Sequence, residues 1–170
     1  MELCNYPNPD QTRYYEIEAI EIPIVYNRYG DYDPDGLLYV LKEDAEDIEK
    51  GAIENFIKPV PQPYEKVKPL VIRANVGEKV VISFSHSLQR SLSIHVQGLE
   101  YDVQASDGAN VGYNKNSTTK QQITYTWHAT EEGVFLFHDM GDTRSSEDGT
   151  NVHGLFGAII VWRINREWRK

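Results

Sequence analysis

The sequence predicts an all-β protein, a Greek-key β-sandwich with one short helix near residues 43–56. Eleven of its residues are tyrosine, a residue type that is enriched in strands. Over residues 79–84 apolar and polar side chains alternate with the period of two that marks a half-buried strand, with Val80, Ile82 and Phe84 on one face. Similar segments follow at short intervals, separated by loops rich in Gly, Ser, Asn and Asp, which is typical of sandwiches.

Length and composition are those of a single globular domain. The chain has 170 residues, of which 40% are hydrophobic and 25% are charged, and both fractions are ordinary for a globular protein. A chain of this length buries enough surface to form a core without cross-links. We therefore predict one domain over residues 1–170, with N-terminal strands and the helix in 1–62, the sandwich core in 63–165 and a basic tail in 166–170.

Charge and cysteine content restrict the partners and the location. The formal net charge of −9 argues against nucleic acid and against an anionic membrane surface, because clustered Lys and Arg bind both. Cys4 is the only cysteine, so an internal disulfide is excluded. The first ten residues lack the basic start and apolar run of a signal peptide, and no apolar segment approaches the roughly 20 residues of a membrane span. We expect a cytoplasmic protein without a membrane partner.

Residues 13–26 form the first predicted strand. Its apolar residues alternate in one phase up to Ala19 and in the other phase from Ile20 onward. This change of phase predicts a β-bulge between the two residues. Further strands are predicted over residues 37–41, 70–74, 79–84, 91–96, 121–128, 133–138 and 155–164.

Residues 43–56 form the predicted helix. Ile48, Ala52, Ile53 and Phe56 fall on one face at helical spacing, and acidic residues crowd the first turns, where the helix dipole favours them. A glycine inside the segment, Gly51, weakens the helix. The proline-rich segment 59–69 that follows predicts an extended connector to the later strands.

Histidines are the candidate functional residues. Strand periodicity places His95 beside Gln97 on the polar face of one strand, and His138 beside Met140 at the end of another. Two such strands can bring both imidazoles to one rim of a sandwich. Imidazole binds copper, zinc, iron or nickel, and a thioether adds a preference for Cu(I). We therefore predict His95 and His138 as metal ligands, with Met140 and His153 as further candidates.

The alternative is that the histidines are structural. Each imidazole would then be a surface or core group with a satisfied hydrogen bond. This interpretation applies first to His86, in a polar Ser-His-Ser segment, and to His128, at the end of a strand.

Four segments carry a resemblance to a known family. The sequences SIHVQG at residues 93–98, YD at 101–102, GVFLFHDM at 133–140 and GLFGAIIV at 154–161 resemble, in order and spacing, a non-terminal cupredoxin domain of the multicopper oxidases. The segment YNRYGDYDPDG at residues 26–36 is similar to the start of large bacterial members. The resemblance implies a cupredoxin-like fold for the whole chain.

The resemblance also implies a copper site that is only partly preserved. The family builds a three-copper cluster from four His-x-His motifs, two from each contributing domain. Here the motifs are His95-Val96-Gln97 and His138-Asp139-Met140, so Gln97 and Met140 stand where the family has histidines. By the resemblance, His95 corresponds to a ligand of the type 2 copper and His138 to a ligand of a type 3 copper.

A type 1 copper site is excluded on its ligands. The family places a cysteine thiolate beside the second motif, and Asp139 occupies that position. Cys4 lies in the wrong segment. His153 directly precedes Gly154, whereas the histidine of the family's type 1 site lies a few residues earlier.

Three functions remain open at this point. The first is a domain of a multicopper oxidase that is inactive alone and shares a copper cluster with another cupredoxin domain, in cis or in trans, including as a homo-oligomer. The complete assembly would be an oxidoreductase that uses dioxygen. The second is a degenerate domain that binds no metal and serves contacts between domains. The third is a separate mononuclear copper-binding protein, with His95, His138 and either Met140 or His153 as its ligands.

Overall fold

Two sheets packed face to face form a β-sandwich. The computed structural model describes residues 11–109, 122–142 and 148–163. The strands are β1 (Thr12–Glu21), β2 (Ile24–Val25), β3 (Tyr32–Asp33), β4 (Leu37–Leu41), β5 (Leu70–Asn75), β6 (Lys79–His86), β7 (His95–Val96), β8 (Glu100–Tyr101), β9 (Ile123–His128), β10 (Gly133–His138) and β11 (Phe156–Trp162). Two helices, α1 (Ala45–Phe56) and α2 (Val103–Ser106), and a 3₁₀ turn (Lys42–Asp44) complete the elements. The predicted all-β class with one main helix is therefore confirmed.

The strand order separates the two layers. One sheet has the order β4-β1-β6-β9-β8, and the other has the order β5-β11-β10-β7. Strands β2 and β3 form a separate small hairpin. The pairs β1–β6 and β5–β11 are parallel, and the other pairs are antiparallel. The second sheet ends at β7, so its last pair, β10–β7, lies at an open edge of the sandwich.

The main core lies between the two sheets. Alternate residues of β6 and β9 point into it, and Phe84, Tyr125 and Trp127 are fully buried there. Tyr39 of β4 and Phe137 of β10 pack against each other with ring centroids 5.7 Å apart. Burial of each such side chain contributes about 1.5–3 kcal/mol, so this aromatic cluster is a main source of the stability that holds the strand ends in place.

A second core cluster lies outside the first sheet. Helix α1 covers β1 and β4 through Ile48 and Ala52, which pack against Ile20, Leu38 and Val40. Strand β4 is therefore buried on both faces.

This two-sided burial corrects the predicted β-bulge. Ala19 belongs to the core between the sheets, whereas Ile20 belongs to the cluster under α1. The pairing of β1 with β4 runs from Ile17 to Glu21 without an extra residue. The change of apolar phase therefore marks the point where the strand passes under the helix.

The helix itself agrees with the prediction, but its buried face differs by one position. Gly51 is buried together with Ile48 and Ala52, while Ile53 is half-exposed. The ring of Tyr64 lies across the helix at Gly51, where a Cβ atom would approach it to 2.3 Å. The glycine therefore leaves room for the connector to pack on the helix.

The predicted strand over residues 91–96 is shorter in the structure. Only His95–Val96 pair as a strand. The preceding amides bond to side chains instead, since Ser93 N–H donates to Asp139 Oδ1 at 2.7 Å and Ile94 N–H donates to the Tyr125 hydroxyl at 3.4 Å. The strand β8 and the helix α2 were not predicted.

Part of the chain lies beyond this description. Cys4 and the predicted basic tail, residues 166–170, are outside the described residues, and the domain boundaries stay predictions. Within residues 11–109, 122–142 and 148–163, none of the helices is both long and apolar enough to cross a bilayer.

Candidate metal centre

His95 and His138 lie directly opposite each other on neighbouring strands. The antiparallel pairing of β7 with β10 puts them in register. Their rings have centroids 5.6 Å apart and planes at 71°, and both side chains are half-buried. The two histidines that the sequence singled out therefore meet at one rim of the sandwich, while their role as metal ligands stays a prediction.

The His95 ring is oriented by a carboxylate. Nδ1 of His95 is 2.8 Å from Asp107 Oδ1, and the two side chains are only 20% and 18% exposed. An N–H at Nδ1 donates to this acceptor, which in the neutral ring leaves the lone pair on Nε2. Within the described part of the chain, no protein group bonds to this Nε2. A histidine whose second nitrogen donates to a carboxylate has the arrangement typical of metal-binding histidines.

Asp107, which orients His95, was not among the functional residues predicted from the sequence. It follows α2, whose first turn is capped by Asp102 through bonds from Gln104 N–H (2.8 Å) and Ala105 N–H (3.1 Å). The next residue, Gly108, passes so close to the backbone of Ile94 that a Cβ atom would lie 2.2 Å from its carbonyl oxygen. The dipeptide Asp107-Gly108 is the sequence feature that could have indicated this position. A glycine is needed where two backbones pass this close to each other.

Both ring nitrogens of His138 are engaged by the protein. Nδ1 lies 3.0 Å from the carbonyl oxygen of Asp139 and donates to it. Nε2 lies 3.0 Å from the side-chain nitrogen of Gln97, which can only donate. The two bonds require the same neutral tautomer, with the proton on Nδ1 and the acceptor on Nε2.

Asp139 points to the opposite side of the strand end and is fully buried. Its carboxylate accepts hydrogen bonds from three separate segments of the chain. The donors are Ser93 N–H (2.7 Å) and Oγ–H (3.3 Å), Gly141 N–H (2.9 Å), Asp142 N–H (3.1 Å) and Thr150 Oγ1–H (2.6 Å). A carboxylate with this many donors is a structural acceptor that ties the loops of the rim together.

The roles of the other candidate ligands, His153 and Met140, also stay predictions. His153 Nδ1 is 2.7 Å from Asp33 Oδ2 on the small hairpin, and the His153 carbonyl accepts a bond from Leu37 N–H. Met140 follows β10, with its backbone N–H bonded to Ser93 Oγ at 3.1 Å. In the part of the chain that the structure describes, no three His, Cys, Asp or Glu side chains converge as a metal ion requires.

His86 and His128, the two histidines most readily interpreted as structural from the sequence, occupy different environments. His86 ends β6 and is buried beside the Phe84 ring, with centroids 5.9 Å apart. His128 ends β9 and is exposed, opposite Glu100. Neither belongs to the strand pair that carries His95 and His138.

Apolar side chains surround the histidine pair on the outer face of the second sheet. Leu136, Ala158 and Val71 are consecutive cross-strand neighbours, and Phe156 lies opposite His138. Leu136 is 58% exposed and Phe156 is 43% exposed. An exposed apolar patch on a sheet face is typical of a surface that contacts another protein domain.

The fold and these motifs are those of a cupredoxin domain. The sequence profile described as "Multicopper oxidase" matches residues 66–166. The chain belongs to the multicopper oxidase family. No curated protein matches it.

Solved structures show the same fold. The chain is 19% identical to a multi-copper oxidase from Pseudomonas thermotolerans over 89% of this chain and 30% of that one, with a TM-score of 0.59. It is 20% identical to a copper nitrite reductase from Nitrosomonas europaea over 90% of this chain and 42% of that one, with a TM-score of 0.56. It is 20% identical to Lac15 from a marine microbial metagenome over 90% of this chain and 33% of that one, with a TM-score of 0.57. The chain thus spans 30–42% of the length of these structures.

The residues fit copper only in part. Asp139 stands where the resemblance expects the thiolate of a type 1 site, and the oxygens of its carboxylate are occupied by N–H and O–H donors. At the histidine pair, the His95 imidazole presents Nε2 as a metal ligand would, and His138 can do so once Gln97 leaves its Nε2. The fit is therefore that of a partial ligand set.

Proposed function

We propose that this cupredoxin domain contributes two imidazoles, His95 and His138, to a copper site that is completed by histidines of another cupredoxin domain. The second domain is joined in cis or supplied by another subunit, which includes a second copy of this chain. Copper at the completed site would supply electron transfer from a reducing substrate to dioxygen. The isolated domain has no type 1 copper and is inactive as an oxidase.

The observation that carries this proposal is the orientation of His95. Its Nδ1 is fixed by Asp107 at 2.8 Å, no described residue bonds to its Nε2, and its ring lies beside the second imidazole with centroids 5.6 Å apart. A metal-binding histidine has this arrangement, in which one ring nitrogen donates to a carboxylate and the other is left for the metal.

The ligand count explains why the site has to be shared. Copper held by imidazoles takes about three or four ligands, and the described part of this chain brings two histidines together. The apolar patch around them, with Leu136 and Phe156 exposed, supports a second domain docking on the same face.

One observation favours the alternative function, a metal-free domain that serves contacts between domains. The bond between Gln97 and His138 Nε2 satisfies the second imidazole with a protein group. If His95 Nε2 is bonded to water in solution, the pair needs no metal at all. A mononuclear copper protein is the less favoured alternative, because the described residues offer no third His, Cys, Asp or Glu ligand.

Copper titration of the purified 170-residue chain distinguishes these functions. We expect weak Cu(II) binding by calorimetry, with imidazole nitrogen couplings in the electron paramagnetic resonance spectrum. His95→Ala removes this binding, while His128→Ala, a matched change at an exposed histidine, leaves it unchanged. If the wild type and His95→Ala bound Cu(II) equally, the copper site at His95 would be wrong and the metal-free domain would be the remaining function. Turnover of a phenol by the lone copper-loaded chain would contradict a shared site.

A further inference from the structure

We infer that Gln97 is a displaceable lock on His138: its side-chain amide holds the one ring nitrogen through which His138 can join a metal site. The inference rests on the proposed function, since it states how that site opens. It predicts that Gln97 sets the copper affinity of the pair. The residue therefore acts on the imidazole, and it is a positioning residue.

The backbone fixes Gln97 where its amide can reach His138. Gln97 N–H donates to the Leu136 carbonyl at 2.9 Å, which continues the β7–β10 ladder by one residue beyond Val96. From this position the side chain crosses diagonally to the neighbouring strand, where its nitrogen lies 3.0 Å from His138 Nε2. Diagonal neighbours in an antiparallel pair lie within reach of a long side chain.

The two bonds of His138 differ in how easily they break. The acceptor at Nδ1 is the backbone carbonyl of Asp139, a buried residue whose side chain accepts several further bonds. The donor at Nε2 is the end of an exposed glutamine. Rotation of that side chain moves its amide into water, which replaces the lost partner. The ring therefore keeps its orientation while Nε2 becomes available.

His95 has no such lock. Its Nδ1 is held by Asp107, and no bond from a described residue has to break at Nε2. The pair is thus asymmetric, with His95 ready to bind and His138 dependent on Gln97. Since a net hydrogen bond between neutral groups changes an equilibrium by a small factor, removing the lock changes copper affinity about 2- to 10-fold.

The lock itself is tested without copper. Long-range ¹H–¹⁵N correlation spectra of the histidine rings report the tautomer and the bonding of each nitrogen. We expect His138 to carry its proton on Nδ1 in the wild type. In Gln97→Leu, which keeps the bulk and removes the amide, the Nε2 resonance shifts and the tautomer is retained. An unchanged His138 Nε2 resonance would overturn the inference.

The effect on the metal is tested by calorimetry with Cu(II). We expect Gln97→Leu to bind about 2- to 10-fold more tightly than the wild type. Gln11→Leu, a matched change at an exposed glutamine just before β1, leaves the affinity unchanged. The gain disappears when His138→Ala is added, because the lock then has nothing to release.

The outcomes separate this inference from the proposed function. If Gln97→Leu binds Cu(II) no more tightly than the wild type while His95→Ala still abolishes binding, the lock is wrong and the copper site stands. Weaker binding by Gln97→Leu would make Gln97 a ligand and also overturn the lock. If no variant binds copper through His95, the proposed function fails, and the ring spectra alone decide whether the lock exists.

Discussion

His138 and Asp139 are adjacent in the sequence, yet their side chains lie in opposite environments. Asp139 points into the sandwich, is fully buried and accepts hydrogen bonds from Ser93, Gly141, Asp142 and Thr150. His138 points outward beside His95, and one of its two bonds comes from an exposed glutamine. The strand end is therefore rigid on one side and exchangeable on the other.

This difference has a physical cause in burial. On the inner side a lost hydrogen bond leaves an unsatisfied group without water, which is costly. On the outer side water replaces a lost partner at little cost. A rim built in this way can change what its histidines bind without changing its backbone.

The largest expected effect comes from the rigid side. Asp139→Ala removes the acceptor for donors in three loop segments, of which Ser93 and Thr150 are buried. We expect the free energy of unfolding, measured by urea denaturation, to fall by about 3–5 kcal/mol, since each buried donor left unpaired costs about 1–3 kcal/mol.

The exposed Asp35 provides the control for this experiment. It lies in the turn before β4, so Asp35→Ala changes stability by less than about 0.5 kcal/mol. A loss below about 1 kcal/mol in Asp139→Ala would show that the rim loops find other acceptors, and that the two sides of the strand end differ less than the structure indicates.

Glu78 is a second buried carboxylate, and its contribution to stability depends on pH. It therefore tests whether a buried, hydrogen-bonded carboxylate stabilises the fold as Asp139 is expected to do. Burial opposes its ionisation, but the bonds from the Arg13 guanidinium and from Asn75 outweigh burial and hold the pKa of Glu78 below its usual value. The charged form is thus favoured by folding. This contribution to stability is complete above the pKa of the unfolded chain and is lost as the pH falls through the lower pKa of the folded state.

The measurement is the free energy of unfolding of the wild type and of Glu78→Gln between pH 7 and pH 3. We expect the variant to be less stable at pH 7 by about 1–3 kcal/mol, with the gap closing toward acid pH. A gap that stays constant over this range would mean that the ionisation of Glu78 does not contribute.

The period of two in β10 was enough to predict this division of the strand end from the sequence. It placed His138 and Met140 on one face and Asp139 on the other, and the structure agrees for His138 and Asp139. The bonds that give the site its character were not predictable in this way. The contact of Gln97 with His138 depends on strand register, and that of Asp107 with His95 depends on where a loop crosses the sheet end.

The errors in the fold have a similar origin. The change of phase at Ala19 and Ile20 was interpreted as a bulge, because a sequence does not show that a helix will cover the outer face of the same strand. The strand over residues 91–96 was predicted too long, since the amides of Ser93 and Ile94 bond to side chains 46 and 31 residues away. Local periodicity identifies an apolar segment and leaves its backbone partners open.

The smallest expected effect on stability comes from the outer side of the rim, where His95 and His138 lie. Asp107→Ala removes a half-buried carboxylate that bonds to His95 and to the amide of Ala109, both of which are themselves only half-buried, so stability falls by about 1 kcal/mol or less. Because the loss frees the His95 ring to rotate and to change tautomer, Cu(II) affinity measured by calorimetry drops about 10-fold. Asp107→Asn keeps an acceptor for Nδ1 and retains most of the affinity. If both variants bound Cu(II) as the wild type does, His95 would not depend on its carboxylate, and the two sides of the rim would differ in rigidity alone.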